Sequence, residues 1–353
     1  MAQTAGGQGR SLPAPKLPNL DLMRSFAVLL VVIDHLLYAT DHLAFGYWQR
    51  AWIGTAGVYL FFIHTCMVLM WSLERHTSAL AFYARRALRI YPLAIVTLLA
   101  TLAFRLPIAT FAHSGFHFVA PGWRAIAENL LLVQNLFGGK SIVGVFWTLP
   151  IELQMYLVLP FLFALVRLFP RLGMLIVLWA AVCFYDCSSS LHAIDYTMYY
   201  VPCFLPGIMG YMLFGRVRPR IPGYFFIPFL VIMLCGFLVS PSIPAGWAYC
   251  LCVGLTLPHF QQIRAGWLVR STHEIAEYSY SIYLTHLVGL YIGFGVFAAQ
   301  GIVVRFGVSI ACTVLLTVVA HRLIERPGIK IGSKLSRWIE ARAERIGVAV
   351  SAP

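Results

Sequence analysis

Residues Leu20–Thr40 read LDLMRSFAVLLVVIDHLLYAT. As a helix this stretch is about 31 Å long, enough to cross the hydrocarbon of a bilayer. Its apolar residues run continuously instead of alternating, so the segment reads as a helix and not as a barrel strand. Runs of the same kind recur to Leu323, near 22–39, 53–72, 87–106, 147–168, 172–187, 196–215, 222–240, 244–258, 277–298 and 302–322. Of the 353 residues 60% are hydrophobic and 11% charged, too few charges to cover a water-soluble domain, which carries roughly a quarter. The expected fold is an all-α membrane protein of about ten transmembrane helices.

The net charge of +13 suggests nucleic acid until its distribution is read. If the N-terminus is cytoplasmic, 21 of the 26 lysines and arginines fall on the cytoplasmic side. The five on the other side are Arg50, Arg105, Arg124, Lys140 and Arg305. That is the positive-inside bias, so the charge is a topology signal, both termini are expected in the cytoplasm, and no nucleic-acid partner is implied. The chain divides into a cytoplasmic tail over 1–20, a transmembrane domain over 21–327 and a basic cytoplasmic tail over 328–353. That last tail interleaves lysines and arginines with Leu335, Trp338 and Ile339 and suits membrane lipids of an anionic leaflet. A weakly apolar segment, Trp123 to Phe137, interrupts the longest loop and reads as a helix lying on or dipping into the membrane. The eight cysteines lie in apolar stretches with no CxxC and no zinc spacing, so they read as packing residues and no metal is expected.

An ionisable residue inside a span costs about 2.5–3.5 kcal/mol on insertion scales, so each one needs a reason. The first span carries Asp34 and His35 in its interior and Arg24 at its start. Arg24 and His35 are eleven residues apart, about 20° round a helix and roughly 16.5 Å along it. One stripe therefore carries a cation and an imidazole, which suits an elongated anionic ligand. Thr148, Glu152 and Tyr156 form a second stripe at i, i+4 and i+8, just after Trp147. Ser279, Tyr283 and His286 share a face of the ninth span. Arg85, Arg86 and Arg89 enter the third, where guanidinium forks suit phosphates. Each of these residues also has a structural reading, as helix–helix hydrogen bonding or membrane anchoring.

Taken together the motifs resemble the acyltransferase 3 family of bacterial membrane acyltransferases. The basic residue, ten others, then His is matched by Arg24 and His35. The Trp-Ser/Thr-Leu motif with its Glu and aromatic is matched by Trp147, Thr148, Leu149, Glu152 and Tyr156. Arg85, Arg86, Arg89 and Pro92 match the basic motif, Ser279 to His286 the late serine–tyrosine motif, and Glu325 and Pro327 the closing Glu-x-Pro. The resemblance spans most of the chain in the family's order. It implies transfer of an acyl group, commonly acetyl, from cytoplasmic acyl-coenzyme A (acetyl-CoA in the simplest case). The acceptor would be a hydroxyl of a polysaccharide, lipopolysaccharide, glycolipid or other envelope or exported carbohydrate, at the bacterial inner membrane. On that reading His35 and Glu152 are catalytic, and Arg24, Arg85, Arg86 and Arg89 hold the donor. Asp34, Trp147, Tyr156, Tyr283 and His286 meet the acceptor. The competing class is a transporter or flippase for an anionic lipid or sugar, since buried His, Asp and Glu also suit a proton relay; no internal repeat of the transporter kind is evident.

Overall fold

A helix that is apolar all round needs apolar surroundings all round, and the chain supplies them. In a computed structural model, residues 17–40, 47–75, 78–108, 118–188 and 198–345 are described. Among them there are helices and no β-strand. All ten apolar segments are helical: α1 (Pro18–Thr40), α2 (Tyr47–Arg75), α3 (Ala79–Ala103), α5 (Thr148–Leu168), α6 (Leu172–Ser188), α7 (Val201–Leu213), α8 (Phe226–Val239), α9 (Ile243–Thr256), α10 (Gly266–Leu290) and α11 (Ile302–Ala320). Five helical runs are long and apolar enough to cross a membrane, and shorter apolar helices accompany them. Their outward side chains, among them Phe161, Val177, Phe184, Ile232 and Leu315, are exposed hydrocarbon, as a lipid-facing surface requires. Most of the tail over 1–20, residues His113 and His117 of the longest loop, and the last eight residues lie outside the described set.

Close approach, not an apolar driving force, holds helices together in lipid. Helix α1 packs on α2 and α10. On α2, a Cβ placed on Gly54 would stand 2.8 Å from Asp34 Oδ2, and one on Gly57 would strike the backbone of Ala27. Helix α2 in turn packs on α7, and α7 on α9.

The segment before α5 folds back into the protein. Helix α4 (Trp123–Leu131) ends beside the middle of α3, where Tyr91 donates to the Leu131 carbonyl at 3.0 Å. Asn129 staples the following turns: its amide donates to the carbonyls of Ala125 and Lys140, and its oxygen accepts from the Ile142 N–H. The segment Trp123 to Phe137 is thus a short helix plus a 3-10 turn at Gln134–Phe137. Its polar anchors bring the start of α5 into the interior.

Two π-turns break the last helices, Tyr291–Val296 and His321–Glu325. The second joins α11 to α12 (Arg326–Arg345), so the helical run passes through Pro327 into the basic tail. A wide turn lying next to a proline, which lacks an N–H for its own turn, is a usual adjustment of helix geometry. Helix α12 packs along the start of α3, where Gly328 and Gly332 meet Leu88.

Candidate active site

His35 and His286 meet where α1 and α10 run side by side. Their ring centroids are 5.1 Å apart, the planes inclined at 62°. His35 Nδ1 lies 2.8 Å from the Val31 carbonyl, and His286 Nδ1 lies 2.9 Å from that of Ile282. A carbonyl only accepts, so both Nδ1 atoms carry hydrogen. His286 Nε2, 3.3 Å from His35 Nδ1, is then an acceptor for that same N–H. In the neutral pair this leaves His35 Nε2 with the lone pair. The local sequence builds the arrangement: each imidazole bonds back one turn in its own helix, and their level along the two helices does the rest.

Below the histidines a cavity of about 60 Å³, room for a few water-sized groups, is lined by Arg24, Arg89, Thr148, Glu152, Tyr156 and Tyr283 among others. Tyr283 joins it to the histidines, its ring 6.3 Å from that of His286. Tyr283 donates to the Val145 carbonyl at 2.8 Å, and its hydroxyl lies 2.7 Å from that of Thr148, which itself reaches the same carbonyl at 3.3 Å. Tyr156 donates to Glu152. Tyrosines also set the helix levels: Tyr280 donates to the Ile90 carbonyl at 2.7 Å and Tyr83 to that of Leu157 at 2.9 Å. These ties bring Arg86 and Arg89 to the level of Glu152 and Tyr156.

The cavity wall is charged and incompletely paired. Arg24 lies in the field of Arg89, Glu325 and Glu152. Two guanidiniums, Arg24 and Arg89, and one carboxylate, Glu152, line the cavity, and Arg86 lies in the field of Arg89 and Glu152. The Nε atoms of Arg24 and Arg86 are buried with no hydrogen-bond partner. Leaving a buried donor unmade costs about 1–3 kcal/mol, more for a charged group, so the cavity favours a ligand with acceptor oxygens and negative charge.

The structure divides the residues picked from the sequence. Arg24, Arg89, Glu152, Tyr156 and Tyr283 line one cavity, with His286 and His35 above it. Glu152 accepts from Tyr156 and shares the cavity wall with Arg24 and Arg89, and His286 is the partner of His35. Arg85 turns the other way, toward Ser336 and, at 3.6 Å, Glu340 of α12. Asp34 is buried against α2 at Gly54, and Trp147 packs on Tyr200 with centroids 5.4 Å apart. A further network received no role from the sequence. Glu325, 1% exposed, accepts from Ser281 at 2.6 Å and from His321 Nδ1 at 3.0 Å, while His321 Nε2 lies 3.6 Å from Glu277. Its signal was present: His321 and Glu325, and Glu277 and Ser281, are each spaced i, i+4 on apolar helices. Among the described residues no group of three His, Cys, Asp or Glu is placed to hold a metal ion.

Comparison with known proteins adds the family. Residues 17–322 match the family described as "Acyltransferase domain". The chain belongs to that family. It is 30% identical over 165 residues to "Acyltransferase MdmB" of Streptomyces mycarofaciens, a match covering 44% of this chain and 41% of that protein. It is 31% identical over 180 residues to "Nodulation protein 10" of Rhizobium leguminosarum bv. viciae, covering 46% and 49%. The chain thus spans under half the length of the curated relatives it matches. No solved structure matches it. The matched region contains Arg24, His35, the whole cavity and His286.

Proposed function

We propose that the protein is a membrane O-acyltransferase that moves an acyl group, acetyl in the simplest case, from acyl-coenzyme A to a hydroxyl of an envelope or exported carbohydrate or glycolipid. About ten helices cross the inner membrane with both termini in the cytoplasm, as the basic residues are distributed. The phosphates of the donor lie toward the cytoplasm, and its acyl-bearing arm passes Arg24 and Arg89 toward His35. The acceptor hydroxyl gives its proton to His35 Nε2 while its oxygen attacks the thioester carbonyl. The new C–O bond forms, the C–S bond breaks, and the thiolate leaves toward the guanidiniums, where it takes a proton from solvent while His35 gives its own back to solvent.

The observation that carries this reading is the hydrogen bonding of His35. With Nδ1–H held by Val31 and shared with His286, the basic nitrogen is Nε2, the one a general base needs. Family membership supports acyl transfer as the reaction, and the unpartnered arginine nitrogens support an anionic donor. Purified protein given acetyl-coenzyme A and an extract of envelope glycans should release free thiol only when both are present. Release that ignores the glycan, or none at all with any acyl-coenzyme A, contradicts the proposal. Mass spectrometry of glycans from a deletion strain and its parent then names the acceptor by the missing acyl mass.

A further inference from the structure

Helix α12 has three faces, and the protein's own packing uses one. Gly332 and Ser336, one turn apart, meet the Arg85 region of α3, and Gly328 sits over Leu88. A second face carries Ile331, Leu335 and Trp338 at i, i+4 and i+7, all exposed, Trp338 by 56%. A third carries Lys330, Lys334 and Arg337, each one residue earlier and so about 100° round the helix, also exposed. Arg342 lies over the Trp338 ring, 5.2 Å from its centroid. Glu340 is engaged with Arg85, and among the described side chains the fully exposed charges of the helix are all basic.

An apolar stripe bordered by a basic stripe over about two turns matches the boundary between acyl chains and phosphates. The helix also continues from α11, whose exposed side chains are apolar, so it emerges at that boundary. We infer that α12 is a binding surface for anionic phospholipid. Ile331, Leu335 and Trp338 face the hydrocarbon, and Lys330, Lys334 and Arg337 hold the headgroup phosphates. A nucleotide shares the phosphates but offers no hydrocarbon for a stripe roughly 10 Å long. The inference does not depend on the acyl-transfer reading.

Native mass spectrometry of the full chain in detergent tests it, with equal amounts of phosphatidylglycerol and phosphatidylcholine. The native chain should retain phosphatidylglycerol in preference. Lys330→Gln/Lys334→Gln/Arg337→Gln should lose that preference by about a hundredfold, roughly fivefold for each charge removed near a headgroup. Leu335→Ser/Trp338→Ser should weaken binding of both lipids. Arg216→Gln/Arg218→Gln/Arg220→Gln, which removes three basic residues elsewhere, should keep the preference. No preference in the native chain, its survival in the α12 glutamine variant, equal loss in the control, or displacement of the lipid by coenzyme A would each overturn the inference.

Discussion

At the scale of the residue, the proposed chemistry turns on His35 Nδ1, whose hydrogen is shared between the Val31 carbonyl and His286 Nε2. The stripe of Arg24 and His35 follows from helix geometry, and the structure keeps both along one side of α1. The pairing of His35 with His286 depends on the relative level of two helices 251 residues apart in sequence, which no local pattern encodes. On the proposed mechanism that pairing makes His286 a positioning residue. His286→Leu removes the acceptor for the His35 N–H and should lower kcat roughly 2- to 10-fold, the range for one neutral hydrogen bond. His286→Gln, whose amide oxygen can accept, should recover most of it, with KM for the donor unchanged in both. The arginines separate in the same way. Arg24→Ala should raise the donor KM by roughly 10- to 100-fold, from loss of about 1.5–3 kcal/mol in a charge-assisted contact. Arg85→Ala should leave KM nearly unchanged, because Arg85 faces α12. Steady-state kinetics over a range of acetyl-coenzyme A checks both, and equal effects would return Arg85 to the donor site.

At the scale of the element, hydropathy located every apolar helix, because length and continuous apolarity are written locally. It could not see that α4 and the turns after it fold inward, since that rests on Tyr91 bonding to the Leu131 carbonyl, 40 residues away, and on Asn129 bonding across the turns to Lys140. Nor could it see that the last helix runs on past Pro327. The cysteines read as buried packing residues are only partly so: Cys66, Cys203 and Cys250 are buried, whereas Cys187, Cys235 and Cys252 are exposed. An apolar stretch says that a residue is in the helix bundle, not which side of the helix it takes. The close contacts of α1 and α2 give a stability prediction. Gly57→Val adds branched atoms against the Ala27 backbone and should cost about 1–3 kcal/mol, as overpacking does. A lower melting temperature in detergent is the expected readout. Gly173→Val, where an added Cβ meets nothing within 4 Å, should leave it unchanged.

At the scale of the whole molecule, the bias of basic residues to one side predicts where the loops lie. Reporter fusions at Leu80 and at Ser190 should report opposite sides of the membrane, Leu80 in the cytoplasm, and a cytoplasmic signal at Ser190 would contradict the arrangement of ten spans. On the proposed mechanism this assembly of helices places one imidazole, that of His35, over a charged cavity and uses it as a base. His35→Gln tests that most directly. Glutamine is close in size and hydrogen-bonds well across helices, but it takes no proton near neutral pH. The variant should purify and melt like the native protein, bind acetyl-coenzyme A with native affinity, and lose acceptor-dependent thiol release by roughly 10²–10⁴-fold. A well-folded His35→Gln protein that keeps most of its acyl transfer would contradict the account.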